Sequence, residues 1–86
     1  LILLKESQIT WNGLIGSLCD FYGNDLDYLN GVPTINDCIN YCVANRKCTS
    51  VIHNPSNGNC NLKMANVSKE DASLDDTINC SLMGSI

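Results

Sequence analysis

A chain of 86 residues has room for one small core, and 44% hydrophobic against 16% charged residues without a low-complexity tract describes a folded globule rather than a disordered tail. Nine Asp plus Glu against five Lys plus Arg give a net charge of −4, which leaves no basic patch to neutralise phosphates or sulfated chains; nucleic acid and heparin-like polyanions are excluded as main partners. Six cysteines, an even number well above ordinary usage, point to the disulfide framework with which small secreted domains supplement a thin core.

The N-terminus opens Leu1-Ile2-Leu3-Leu4, but Lys5 and Glu6 interrupt the apolar run at once, so it forms neither a membrane span nor a full signal-peptide core. The expectation is a mature or trimmed chain, preceded in the full-length product by a signal peptide or another domain. With Ile9, Trp11, Leu14, Ile15 and Leu18, residues 1–18 are too apolar for a solvated tail. They read as a strand-forming extension of one or two strands with Trp11 in or against the core; the other reading is an exposed partner surface.

Asp20, Asn24, Asp25, Asp27 and Asn30 follow, with oxygen ligands enough for calcium but not at the alternating positions of an EF-hand loop. A solvated turn and an edge strand whose charges discourage aggregation account for them better. Tyr22 and Tyr28 stand among these groups, so an aromatic platform beside hydrogen-bonding Asn24, Asp25, Asp27 and Asn30 makes this stretch the candidate ligand site. Against that, Tyr28 with Leu26 and Leu29 also reads as packing, and Phe21 and Tyr41 read as structural.

A helix over residues 35–44 is the most legible element. Ile35, Cys38, Ile39, Cys42 and Val43 recur at i, i+3, i+4, i+7 and i+8, one apolar face. Thr34 caps it, Asp37 favours the positive end of its dipole, Pro33 precedes the cap, Asn45 supplies a left-handed exit, and Arg46-Lys47 place cations at its C-terminus. Cys38 and Cys42, one turn apart, sit roughly 6 Å apart at Cβ, beyond the span of about 3.5–4.5 Å that a disulfide wants. Excluding that pair leaves about twelve of the fifteen connectivities open. Cys48 can fold back onto Cys42 through residues 45–47, and Cys38 then needs a more distant partner.

Residues 49–53, rich in β-branched side chains, and the returning stretch Cys60-Asn61-Leu62-Lys63 read as a hairpin around the turn formers of 54–59, with Asn57-Gly58 as the reversal. A helix lying across it would bring Cys38 over Cys60 and leave Cys19 for Cys80. Between Lys63 and Cys80 there is little periodicity, and Asp71, Asp75 and Asp76 read as plain surface. Asn66-Val67-Ser68 and Asn79-Cys80-Ser81 are N-glycosylation sequons, whereas Asn54-Pro55-Ser56 is excluded by its proline. Bridging of Cys80 is expected to occlude Asn79.

The run Phe21-Tyr22-Gly23-Asn24-Asp25-Leu26, then Gly31-Val32-Pro33-Thr34, then C-x3-C-x5-C, a strand and Cys60-Asn61-Leu62-Lys63 resembles the PAN/apple domain family over residues 19–80. The resemblance implies a small disulfide-rich α+β domain spanning 1–86, an antiparallel sheet with one helix packed across it. It also implies bridges Cys38–Cys60 and Cys42–Cys48 pinning helix to hairpin, and Cys19–Cys80 closing the domain. One departure is the absence of the aromatic residue often found in the strand after the third cysteine, where Val51 and Ile52 stand.

No chemistry competes with this reading. There is one histidine and no C-x2-C knuckle for zinc, no phosphate loop, and nothing to single out a nucleophile near His53, which reads as a half-exposed strand residue. No cofactor or metal is expected. The expected role is a non-catalytic recognition or adhesion module, secreted or the extracellular part of a larger protein, binding a protein or glycan. The alternative is a free-standing secreted effector that blocks an enzyme or receptor, for which 54–59 is the only suitable loop, though its polar, flexible composition resembles an adaptable contact. Oligomeric state is open.

Overall fold

The computed structural model describes residues 9–83; the strand-forming reading of Leu1-Ile2-Leu3-Leu4 lies outside them. The extension does form strands where it is described. β1 (Thr10–Asn12) and β2 (Ile15–Ser17) pair as a hairpin with Trp11 opposite Gly16. Then come β3 (Cys19–Asp20), β4 (Asp25–Leu29), α1 (Ile35–Val43), β5 (Ser50–His53), β6 (Cys60–Lys63), a 3-10 turn (Lys69–Asp71), β7 (Ser73–Leu74) and β8 (Asn79–Leu82). Six strands build an antiparallel sheet in the order β1-β2-β8-β5-β6-β4, and β3 pairs with β7 beside it. α1 crosses β5, β6 and β8, so the fold is the expected α+β.

The helix starts as its sequence dictates. Thr34 is extended, its hydroxyl accepts from the Asp37 N–H at 3.2 Å, and it donates to the Asp37 carboxylate at 2.8 Å. The apolar face is narrower than its spacing implies. Cys38 and Cys42 are fully buried and Ile39 packs on the core, but Val43 is 68% exposed. The two bridges draw the helix onto the sheet along the Cys38–Cys42 line, and Val43 lies about 100° round from Cys42, on the flank. Asn45 does not take a left-handed exit. Its N–H donates to Cys42 O, and Cys48 N–H donates to Asn45 O, because the chain reverses tightly to return Cys48 to Cys42.

The core divides in two. Under the helix, Val32, Cys38, Cys42, Val51, Cys60 and Leu62 are buried, with Leu26, Leu29 and Ile39 against them. On the other side, Ile9, Cys19, Phe21, Ala72 and Cys80 are buried, with Trp11, Ile52 and Val67 against them. Cys38–Cys60 and Cys42–Cys48 staple the first cluster and Cys19–Cys80 the second, at Cα separations of 5.6, 5.2 and 5.5 Å. Trp11 reaches the second cluster because Gly16 has no side chain: a Cβ there would stand 2.6 Å from Cys19 Sγ and 2.8 Å from the indole ring. Lys69 covers the ring's outer face, its Nζ 5.2 Å from the centroid.

The β5–β6 connection differs from the expected Asn57-Gly58 reversal. The chain turns over 55–57, Gly58 N–H donates to Asn54 O, Asn54 N–H donates to Asn59 O, and only Gly58, at φ +78°, is left-handed. Gly58 O accepts from Val32 N–H at 2.8 Å, and a Cβ on Gly58 would meet the Gly31–Val32 backbone at 3.1 Å. Docking onto that backbone selects a longer loop than an isolated hairpin would use. His53 is a second correction: it is 2% exposed, with Nε2 2.7 Å from Val32 O. Its ring ties the strand to the segment that enters α1, so the side chain is spent on structure.

Candidate functional site

The candidate ligand residues lie along the β4 edge of the sheet and the turn that leads into it. Phe21, 2% exposed, anchors the turn in the core, and Tyr22 beside it is 89% exposed. Gly23 and Asn24 are both left-handed, at φ +79° and +58°, a conformation that glycine adopts freely and asparagine tolerates. The turn is pinned from below by Lys63, whose side chain is only 4% exposed; its ammonium donates to Gly23 O at 3.0 Å and to the Asp25 carboxylate at 2.8 Å. Met64 N–H donates to Asn24 O and completes the clamp.

The local electrostatics follow from that buried cation. The hydrogen bond from Lys63 holds the Asp25 carboxyl below the usual carboxylate range, with the ammonium's charge acting in the same direction. Asp20 moves the other way, since burial pushes its carboxyl up and the Lys63 charge offsets this only in part. One Asp20 oxygen is buried with no hydrogen-bond partner among the described residues.

Beyond the turn a bulge between Asp25 and Asp27 shifts the register against β6, which directs Leu26 and Leu29 to the core and Asp27 and Tyr28 outward. Tyr28 is 51% exposed, so its reading as packing is replaced by a presented side chain. Asp27 Oδ1 accepts from the Tyr28 N–H at 2.8 Å, occupying a donor on the open edge. Asn30, exposed, follows the strand. Tyr22, Asn24, Asp27, Tyr28 and Asn30 thus share one edge but do not converge: the strand between Asn24 and Asn30 alone covers about 13 Å. Asp25 is exposed as well, but its carboxylate is engaged in the clamp.

Elsewhere the assignments divide. Tyr41 is not structural: it is half exposed and lines a hollow between α1 and the Gly31-Val32-Pro33 segment. Asp75 is more than plain surface, because its carboxylate accepts from the Thr77 hydroxyl and N–H and its pKa is lowered by them. Asp71 caps the 3-10 turn by accepting from Ser68 N–H. The sequence reading missed the burial of Lys63 and an apolar trough of about 630 Å³ lined by Leu14, Ile15, Ile39, Val43, Leu82 and Met83. The trough's only signal was the apolar character of 9–18, since its other wall comes from the helix flank and the end of β8. Among the described residues no group of three or more His, Cys, Asp or Glu side chains could hold a metal ion, and no helix is long and apolar enough to cross a membrane.

One helix strapped by disulfides across an antiparallel sheet, with its sole histidine buried in a structural bond, defines a scaffold that presents a surface. The family model described as PAN domain matches residues 18–85, and the chain belongs to that family, whose members are non-catalytic modules mediating interactions with proteins and carbohydrates. The match begins at Leu18, so the β1–β2 hairpin precedes it. A comparison with curated proteins finds none that matches.

Proposed function

We propose that this domain is an extracellular recognition module that binds a protein or glycan along the β4 edge and its leading turn. The observation that carries the reading is the pairing of Tyr22, 89% exposed, and Tyr28, 51% exposed, on a backbone fixed by the buried Lys63 ammonium. Exposed aromatics on a rigid frame supply contact area at low entropic cost. Their spread along an edge fits an extended ligand, a protein segment or an oligosaccharide, better than a single sugar. Disulfide content supports a secreted or extracellular setting.

The blocking-effector alternative gains rigidity for its loop: Asn54 Oδ1 accepts from Ser56 N–H and Asn57 Oδ1 from Asn59 N–H, so 54–59 is tied more tightly than its composition implies. The loop still offers no large side chain to anchor a partner, and the module reading is the stronger.

A glycan array and a pull-down from extracellular fluid, each run with wild type, Y22A and Y28A, test the proposal. Each substitution is expected to weaken binding by about tenfold or more, with the fold intact and binding retained at moderate salt. Binding that ignores both substitutions but fails when the chain is truncated before Trp11 would move the site to the N-terminal hairpin and sink the reading.

A further inference from the structure

The two sequons are equivalent as sequence and opposite as structure. Asn79 lies in β8, which is paired on one side with β2 and on the other with β5, where Asn79 faces His53 across the ladder. Its amide oxygen accepts from the Leu18 N–H at 2.9 Å, holding a leucine whose φ of +59° is left-handed. The next residue, Cys80, is bridged to Cys19, and the sequon hydroxyl of Ser81 belongs to a residue only 1% exposed. A sugar would be carried on Nδ2 of the same amide whose oxygen holds Leu18, and would have to be fitted between paired strands at the place where the two ends of the domain meet. Asn66 is exposed on an irregular segment between β6 and the 3-10 turn, Ser68 is exposed too, and no hydrogen bond engages the Asn66 side chain among the described residues.

Asn66 also borders a hollow lined by Leu14, Val67, Leu82 and Met83, which adjoins the apolar trough through Leu14, Leu82 and Met83. Leu14 is 40% exposed there. We propose that Asn66 is the N-glycosylation site of the folded domain, that Asn79 is not modified, and that the first sugars on Asn66 lie over this hollow. The aliphatic faces of pyranose rings then shield Leu14 and Met83 from water, a cover that comes covalently attached at the rim.

Secretion of the chain from a eukaryotic cell line, with intact mass measurement and peptide mapping after peptide N-glycosidase, tests the assignment, because the enzyme converts a carrier Asn to Asp. Asp is expected at position 66 and Asn at position 79. S68A, which removes the sequon and keeps Asn66, is expected to lose the whole oligosaccharide mass, and S81A to retain it. Since Ser81 is buried, the wild-type map decides Asn79 even where S81A fails to secrete. An oligosaccharide on Asn79 in disulfide-bonded material, or Asn66 unmodified throughout, overturns the proposal. For the cover, emission of an anilinonaphthalene dye is expected to rise on enzymatic deglycosylation of native protein and to fall again when L14S is introduced; an unchanged emission overturns the placement over the hollow.

Discussion

The two halves of the core are built from different distances along the chain. The helix-side cluster draws Val32 to Leu62, with bridges whose sequence separations are 22 and 6. The opposite cluster joins Ile9, Cys19 and Phe21 to Ala72 and Cys80 across a separation of 61. A local cluster can form as soon as helix and hairpin meet, whereas the second must close a loop containing the first, and the entropy of that closure is greater. Stapling therefore matters most where contact is least local.

Removing bridges one at a time is the strongest way to break that contrast. In the chain-entropy account, replacing Cys19 and Cys80 with Ala is expected to cost about 4 kcal/mol, Cys38 and Cys60 about 3, and Cys42 and Cys48 about 2. Denaturant melts of the three double variants check the order; a closing bridge that cost no more than Cys42–Cys48 would mean that strand pairing alone holds the ends. Next in size is Gly16→Ala. The added methyl would collide with Cys19 Sγ and the Trp11 ring, and forcing it into this packed site is expected to cost about 1–3 kcal/mol in the same melts. A neutral result would show that the second cluster is loosely packed. Thr34→Ala probes the local side and is expected to cost about 1 kcal/mol through the lost cap, read by thermal or denaturant melting.

The smallest effect is on pH dependence. Asp25 has a folded pKa below its unfolded value, so its stabilisation is complete above about pH 4 and is lost as pH falls through the lower folded value. With the carboxyl side chain 60% exposed, solvent screening keeps this near or below about 1 kcal/mol. Asp20, raised by burial, has the opposite sign: its ionisation opposes folding at neutral pH, and the penalty fades as pH falls through the raised value. D25N is expected to flatten the acid limb of stability against pH, and D20N to raise neutral-pH stability slightly. Urea melts from pH 3 to 7 check both.

The same contrast governs what was legible in the sequence. Thr34, Asp37 and the Cys38–Cys42 spacing lie within one helix, so its start and the ban on their pairing could be read directly. The family resemblance then implied all three bridges that form. His53 and Lys63 could not be read that way, because their burial depends on partners about 20 to 40 residues away: Val32 for the histidine, Gly23 and Asp25 for the lysine. For Val43 the deciding factor is how far round the helix the sheet reaches. In the candidate site, the exposed tyrosines were visible as residue types, but the bulge that turns Tyr28 outward and the clamp that engages the Asp25 carboxylate exist only once β4 meets β6.

Gly16 leaves one more mark. The chain has a single tryptophan, and the gap at Gly16 sets its indole against the sulfur of the bridge that joins the two ends of the domain. A disulfide in contact with an excited indole accepts its electron and quenches its light. Trp11 is therefore expected to be dim while Cys19–Cys80 is intact and to brighten when reductant cuts that bond, a change that steady-state emission would read as a gauge of closure.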